Sequence, residues 1–219
     1  MCGMKRNIAK FIDHTFLNPA GEREAIVRLC REAKEASFAS VCVNPAEIRT
    51  AARLLRSSGV KVCGVVDFPL GQGVSSVRIA EARTAIRDGA DELDFVINQR
   101  LLKYEPERCL AELKAQVAAC RKAKRGLVLK LILECCNLTR DEIVRGCRIA
   151  EAAGFDFVKT STGFGRGGAT VGDVKLMRRS VGKAMGVKAA GGLRDRRAAL
   201  AMLAAGATRL GASAGLNMV

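Results

Sequence analysis

The stretch Gly154-Phe155-Asp156-Phe157-Val158-Lys159-Thr160-Ser161-Thr162-Gly163 contains the unit from which the fold is built. The glycine ends an amphipathic segment, Arg140–Ala153, and a short apolar run then leads to a lysine and small polar residues. Glycine past the end of a helix readily adopts the left-handed backbone that a tight turn requires. The stretch therefore predicts a helix, a turn and a buried strand, in that order.

The same alternation runs through the whole chain. Short apolar runs predict strands at Phe11–Thr15, Ala39–Val43, Val62–Val66, Glu92–Ile97, Leu127–Leu133, Phe155–Thr160, Ala184–Ala189 and Thr208–Gly211. Apolar residues at helical spacing predict helices at Glu22–Ala36, Pro45–Ser57, Val74–Asp88, Glu107–Lys124, Arg140–Ala153, Val171–Val181 and Arg196–Ala205. Strands joined by helical crossovers indicate a parallel sheet in an α/β protein.

Closure of that sheet into a (β/α)8 TIM barrel fits better than an open, doubly wound sheet. An open sheet usually has fewer strands and a GxGxxG turn after the first, which this chain lacks. The chain shows no break in composition, so residues 1–219 are predicted to form a single domain. Few residues follow Gly211, and the C-terminal helix is therefore expected to be shortened.

Composition indicates a compact cytoplasmic protein. Hydrophobic residues make up 49% of the chain and charged residues 27%, which excludes intrinsic disorder. Apolar runs are too short to span a bilayer, and the basic segment Met1–Asn7 leads into no apolar signal core. The cysteines form no CxxC pair and the chain has a single histidine, so we expect reduced thiols, no metal and no cofactor.

The net charge of +15 leaves two readings open, nucleic-acid binding or a basic surface that favours small anions. The charges are scattered over predicted helices, and there is no tryptophan and only one tyrosine to stack on bases. A solvated basic surface is the preferred interpretation, with a small-molecule partner and neither nucleic acid nor membrane.

Three strands carry charged residues where a barrel encloses them. Asp94 lies in the fourth strand, while Lys159 and Lys188 lie late in the sixth and seventh. Barrel enzymes keep their active sites at the carboxyl ends of the strands. A lysine without hydration loses its proton more easily, and the neutral amine can attack a carbonyl to form a Schiff base. The alternative is a buried structural salt bridge between Asp94 and one lysine.

Seven motifs in order resemble those of the deoxyribose-phosphate aldolase family. They are Ile12–Thr15, Ser40–Pro45, Asp67–Gly71, Gly89–Asp94, Phe157–Gly163 with Gly168–Thr170 after it, Lys188–Arg194 and Arg209–Ser213. The family is a class I aldolase on a barrel fold, which agrees with the fold predicted above. The resemblance implies reversible cleavage of 2-deoxyribose 5-phosphate to glyceraldehyde 3-phosphate and acetaldehyde.

The resemblance also implies a role for individual residues. Lys159 is the Schiff-base lysine, Lys188 the second lysine that keeps its amine neutral, and Asp94 the acid that relays protons, through a water. Lys130 and Asp13 match further polar residues of the site. Cys42 matches a cysteine that lines the pocket, although a small buried hydrophobic residue is an equally good interpretation.

Four glycines and one serine after the last three strands are expected to bind the phosphate. They are Gly163, Gly191, Gly192, Gly211 and Ser213. The loops after strands seven and eight commonly bind phosphate in barrel enzymes, where backbone N–H groups point at the anion. The alternative is that these glycines serve only tight turns.

The chain departs from the family pattern at several positions. Ala214 replaces a second serine, Asp67 a common glycine and Asn18 a frequent lysine, and no C-terminal tyrosine is present. Other readings therefore stay open, namely a related Schiff-base aldolase for another phosphosugar, or a basic nucleic-acid-binding protein on an inactive barrel. The shortened C-terminus also predicts an apolar groove, covered by the segment around Ile8 and Phe11 or by a second subunit in a homodimer.

Overall fold

The computed structural model describes residues 8–219, in which eight parallel strands close into one barrel. The strands are β1 Ile12–Phe16, β2 Ser40–Val43, β3 Lys61–Val66, β4 Glu92–Val96, β5 Val128–Ile132, β6 Phe157–Lys159, β7 Gly186–Ala190 and β8 Arg209–Ala212. The α-helices are α1 Arg23–Glu35, α2 Ile48–Leu54, α3 Ser75–Arg87, α4 Gln99–Tyr104, α5 Pro106–Ala123, α6 Arg140–Ala153, α7 Val171–Ser180 and α8 Arg196–Ala204. Short 3-10 helices occupy Ala9–Phe11, Pro45–Glu47, Cys135–Asn137 and Gly215–Met218. The predicted (β/α)8 barrel is confirmed.

The repeating unit forms as its sequence predicts, and α6 shows why. The hydroxyl of Thr139 accepts from the backbone N–H of Glu142, whose carboxylate accepts from the N–H of Thr139. This reciprocal pair satisfies backbone donors that the first turn leaves free. Gly154 ends the helix with a left-handed backbone, at a φ of 89°. Both ends of α6 are thus set by local sequence.

Parallel pairing continues around the whole barrel, and β1 closes it by pairing with β8. Along β4 the side chains alternate between two environments. Leu93 and Phe95 are fully buried in the apolar layer between strands and helices. Glu92 and Asp94 point the other way, into the barrel, where they meet charged groups from other strands. The main apolar core therefore lies outside the strands, and the barrel interior holds the charged groups beside a small apolar cluster of Leu17, Cys42, Cys63 and Val65.

The chain after β8 contains only the 3-10 turn Gly215–Met218, which confirms the shortened C-terminal helix. Met218 is fully buried, whereas Leu216 and Val219 are about half exposed. Ile8 is fully buried and Phe11 packs partly buried against the core. The basic segment Met1–Asn7 lies outside the described residues.

No helix between residues 8 and 219 is both long and apolar enough to cross a membrane. The cysteines in this part of the chain, including the adjacent Cys135 and Cys136, are free thiols.

Candidate active site

A cavity of about 390 Å³ opens at the carboxyl ends of the strands. Lys159, the last residue of β6, lines it and is 2% exposed. Of the predicted site residues, the structure brings the following to the same cavity: Lys159, Gly163, Gly191, Gly192, Gly211 and Ser213. A single lysine therefore faces a cavity that is otherwise lined largely by backbone and small side chains.

Asp94 lies beneath this lysine and is in contact with three ammonium groups. Its Oδ2 accepts from the Nζ of Lys159 and from the Nζ of Lys188, each at 2.8 Å. Its Oδ1 accepts from the Nζ of Lys130 at 2.8 Å. The register of the sheet explains this meeting, since Lys159 and Lys188 are paired neighbours on β6 and β7, and Asp94 and Lys130 on β4 and β5.

Two further acids extend the charged cluster below Asp94. Oδ2 of Asp13 lies 2.5 Å from the Nζ of Lys188 as an ion pair, and its Oδ1 accepts from Arg209 at 2.7 Å. Glu92 lies 2.6 Å from Lys130 and 3.2 Å from Arg209. Burial opposes charge on Asp94, but Lys130, Lys159 and Lys188 outweigh it and hold the pKa of Asp94 well below its ordinary value.

The same balance keeps the deeper cations charged. Burial works against the ammonium of Lys188, yet Asp13 and Asp94 outweigh it and raise the pKa of Lys188 above its ordinary value. Burial also opposes the charge of Lys130, and the nearby acids, Asp94 first, raise its pKa well above the usual value. These two lysines therefore remain cations throughout the physiological range.

The charges of the cluster balance without Lys159. The carboxylates of Asp13, Glu92 and Asp94 are matched by three cations, which are Lys130, Lys188 and Arg209. Lys159 is the remaining base, and the one carboxylate that it contacts among residues 8–219, Asp94, is shared with the ammonium groups of Lys130 and Lys188. Asp94 does form buried salt bridges, as the structural alternative supposed, but that alternative does not explain a fourth base at the cavity. The arrangement leaves Lys159 as the base of the cluster that is open to the cavity.

Several predicted site residues lie under the cavity instead of lining it. They are Asp94, Lys188, Lys130, Asp13 and Cys42, all fully buried. Cys42 packs with Leu17, Cys63 and Val65, so here it is a small buried residue below the pocket. Cys63 contacts Asp94 directly, with its thiol donating to Oδ1 at 3.1 Å.

One group of possible metal ligands occurs within residues 8–219. The sulfur atoms of Cys42 and Cys63 and a carboxylate oxygen of Asp94 lie within 4.8 Å of one another. The same carboxylate already accepts from three ammonium groups, which would compete with a metal cation.

Glycine is required at two points of the cavity wall. Gly191 has a φ of 88°, in the left-handed region, and its carbonyl accepts from the N–H of Ala169 at 3.0 Å. At Gly211, a Cβ would lie 3.1 Å from Cε of Lys188 and 2.9 Å from Cβ of Ala190. Gly211 therefore makes room for Lys188 as well as lining the cavity.

Sequence reasoning missed part of the site. Thr15, Leu17 and Thr162 line the cavity, and Arg209 completes the buried charge balance. Arg209 could have been found from its place at the start of β8, in register with Lys188 on β7, which puts both side chains on the inward face of the barrel. Two of the positions at which the chain departs from the family pattern can now be located in the structure. Asn18 lines the cavity, and Asp67 adopts a left-handed φ of 53°, which explains why glycine suits that position.

Comparison with known proteins agrees with this geometry. The model of the family described as "DeoC/LacD family aldolase" matches residues 7–219. A deoxyribose-phosphate aldolase of Bacteroides thetaiotaomicron is 51% identical over 213 residues, covering 97% of this chain and 89% of that protein. One from Caldanaerobacter subterraneus is 48% identical, covering 97% and 92%. The solved structure of deoxyribose phosphate aldolase from Aeropyrum pernix, described as a "unique tetrameric structure", superposes with a TM-score of 0.89 at 33% identity. The match covers 96% of this chain and 88% of that one.

Proposed function

The chain belongs to the DeoC/LacD family of aldolases, and from that premise we propose that it cleaves 2-deoxy-D-ribose 5-phosphate reversibly to D-glyceraldehyde 3-phosphate and acetaldehyde. The observation that carries the proposal is the position of Lys159. It is the one lysine that faces the cavity among the residues described, and it lies above a cluster whose charges balance without it. The enzyme is a deoxyribose-phosphate aldolase, a lyase that acts on carbon–carbon bonds.

The proposed reaction begins with attack of the neutral Lys159 amine on the aldehyde carbon of the open-chain sugar. Loss of water gives an imine, which withdraws electrons from the neighbouring C2–C3 bond. Removal of the proton from the C3 hydroxyl breaks that bond and releases glyceraldehyde 3-phosphate. The two-carbon enamine left on Lys159 is protonated at C2, and hydrolysis of the resulting imine releases acetaldehyde.

Asp94 is proposed to move the protons of these steps, with a water between it and the reacting atoms. Its carboxylate oxygen Oδ2 lies 2.8 Å from both Lys159 and Lys188. This oxygen therefore lies within proton-transfer distance of the Lys159 nitrogen, while Lys188 holds the carboxylate in place. Well-placed general acid–base groups of this kind accelerate reactions by about 10²–10⁴-fold.

The phosphate is proposed to lie between the loops that follow β6, β7 and β8. Gly163, Gly191 and Gly192 all have positive φ and no side chain between backbone and cavity. Ser213 offers a hydroxyl after β8. Main-chain N–H groups carry more of the binding here, since Ala214 offers no hydroxyl.

Turnover with the purified protein tests the reaction. Incubation with 2-deoxyribose 5-phosphate is expected to release acetaldehyde and glyceraldehyde 3-phosphate, each measured by a coupled dehydrogenase, and activity should survive EDTA. Cleavage of another phosphosugar in preference to this one would assign the chain to a related Schiff-base aldolase. A salt-dependent gel shift with nucleic acid, together with no turnover, would favour the inactive-barrel alternative.

Replacing Lys188 with methionine is expected to move the activity profile to higher pH. The raised pKa of Lys188 means that this lysine is charged at neutral pH, and a charge 2.8 Å from the shared Oδ2 of Asp94 disfavours a second ammonium at Lys159. Its removal should shift the profile of kcat/KM upward by about one pH unit or more and lower turnover at pH 7.

Lys188→Arg, which keeps the charge, should retain the original profile, and Lys183→Met removes an exposed lysine as a control. Breaking a buried ion pair costs about 3–5 kcal/mol, so folding of each variant is checked by circular dichroism. A folded Lys188→Met enzyme with an unchanged profile would show that Lys188 does not tune the amine.

We also propose that residues 1–219 form one cytoplasmic domain that assembles as a homodimer. The first and last strands pair with each other, so β1 to β8 close into one folding unit. Leu216 and Val219 remain exposed beside the shortened C-terminus, where a second subunit would cover them. Light scattering at micromolar concentration distinguishes a dimer from a monomer or a tetramer.

A further inference from the structure

Glu134 is a buried carboxylate that has no cationic partner among residues 8–219. It follows β5, is 6% exposed, and has a left-handed backbone with φ of 56°. The salt bridges formed by residues 8–219 do not include it. A buried charge and a left-handed residue other than glycine both cost free energy, and together they point to a specific role.

The shortest polar contacts of this carboxylate come from Thr162, and the thiol of Cys136 also donates to Oε1 at 3.9 Å. The backbone N–H of Thr162 lies 3.3 Å from each carboxylate oxygen, and its hydroxyl donates to Oε2. That same hydroxyl oxygen accepts from the N–H of Phe164 at 3.0 Å. Because the hydroxyl of Thr162 donates its hydrogen bond to Glu134, a lone pair of its oxygen is oriented towards the N–H of Phe164. The carboxylate thus sets the turn around Gly163.

The loop also packs closely on Glu134. A Cβ at Gly165 would lie only 3.1 Å from the carboxyl carbon of Glu134. Thr162, Gly163 and Phe164 line the active-site cavity on one side of this loop. On the other side, Glu134 borders a separate cavity of about 270 Å³. Glu134 therefore supports the wall from behind and does not line the active-site cavity.

A second threonine, Thr160, holds the neighbouring loop after β7 and does not contact Glu134 through any hydrogen bond of the described residues. The hydroxyl of Thr160 donates to the carbonyl of Ala190 at 3.0 Å and accepts from its N–H at 3.1 Å. Ala190 directly precedes Gly191, so this pair positions the loop after β7. Of these two threonine contacts, the one at Thr162 uses a buried carboxylate and the one at Thr160 uses the backbone of Ala190.

We propose that Glu134 is a positioning residue that acts through Thr162 to shape the phosphate-binding wall at Gly163 and Phe164, and so sets the preference for phosphorylated sugars. This inference rests on the proposed aldolase function. Loss of the carboxylate leaves the Thr162 donors unpaired and the turn around Gly163 free to relax, while Thr160 still holds the loop at Gly191. Recognition of phosphate should therefore weaken more than cleavage itself.

The test compares kcat/KM for 2-deoxyribose 5-phosphate with kcat/KM for 2-deoxyribose. Glu134→Ala is expected to lower this ratio about tenfold, mainly through KM of the phosphorylated sugar, as expected for loss of a hydrogen bond to a charged group. Glu134→Gln keeps an acceptor oxygen and should restore most of the ratio. Glu151→Gln is the control, since its carboxylate accepts from the N–H of Gly182 away from the cavity.

A double-mutant cycle tests the route through Thr162. Thr162→Val, which removes the hydroxyl, should also lower the ratio, whereas Thr162→Ser should not. In the Glu134→Ala background Thr162→Val should add little, because the two residues act as one unit. The Thr162 pair also serves as the test if Glu134→Ala fails to fold. Fully additive effects, or lower thermal stability with an unchanged ratio, would overturn the proposal.

Calorimetry with inorganic phosphate separates this inference from the aldolase function. We expect the dissociation constant to rise about tenfold in Glu134→Ala and to stay near the wild-type value in Glu151→Gln. A wild-type protein that cleaves no deoxyribose phosphate but shows this dependence would contradict the proposed function and support the role of Glu134. Wild-type protein that cleaves deoxyribose phosphate, together with an unchanged phosphate affinity in Glu134→Ala, would support the proposed function and contradict the role of Glu134.

Discussion

Borohydride reduction in the presence of acetaldehyde is expected to attach one two-carbon group to the protein, at Lys159. Acetaldehyde forms an imine with a neutral amine, and borohydride reduces that imine to a stable secondary amine. Lys188 and Lys130 are held as ammonium ions by their acids and are fully buried, so they should not react. Intact mass and peptide mapping report the number and the position of the adducts.

Lys159→Met should lose both the adduct and turnover. Removing a covalent nucleophile costs up to about 10⁶-fold in turnover in a well-studied hydrolase, and we expect a loss of about 10⁴-fold or more here. Lys183→Met, at an exposed lysine, is the matched control and should retain both properties. An adduct on Lys188 would reverse the two roles, and no adduct on wild-type protein would exclude a Schiff base with acetaldehyde.

Asp94→Asn is expected to separate turnover from imine formation. The amide has nearly the shape of the carboxylate but cannot take up and release protons, so turnover should fall about 10²–10⁴-fold. Imine formation should persist, because removing a negative charge beside Lys130 and Lys188 makes a third ammonium at Lys159 less favourable.

Borohydride trapping and steady-state turnover, measured on the same preparation, distinguish the two steps. Asp88→Asn removes a carboxylate that pairs with Arg49 on the protein surface, and this control should leave both steps intact. A folded Asp94→Asn protein that loses the adduct together with turnover would place Asp94 in imine formation. Turnover at the wild-type rate would remove Asp94 from the proton transfers.

Local sequence predicted the barrel because each helix–turn–strand unit carries its own signals. The helix Arg140–Ala153 was predicted with its observed bounds, since Thr139 begins it and Gly154 ends it. The strand ends were less accurate. β7 was predicted at Ala184–Ala189 and lies at Gly186–Ala190, which places Lys188 in the middle of the strand instead of near its end. A run of apolar residues predicts that a strand exists, but the ends of the strand depend on its hydrogen bonds to the neighbouring strands.

Helix α4, Gln99–Tyr104, was not predicted. It spans 6 residues, too few to show a helical period, and the side chain of Asn98 caps it by accepting from the N–H of Leu101. Pro106 then begins α5. Such a short helix is stabilised by capping and by the packing of Leu101 and Leu102. These two side chains are buried where α5 and α6 lie beside α4.

The sequence by itself determined the alternating strands and helices, the resemblance to an aldolase, and the lysine that ends an apolar strand. Only the tertiary structure decided that Lys130 contacts Asp94 as closely as Lys159 does, that Arg209 completes the charge balance, and that Glu134 supports a cavity wall through Thr162. Strand periodicity predicts that a side chain points inward, but it does not predict which inward side chains contact one another. That depends on closure of the barrel, which brings Asp94 and Lys188 into contact across 94 positions of sequence.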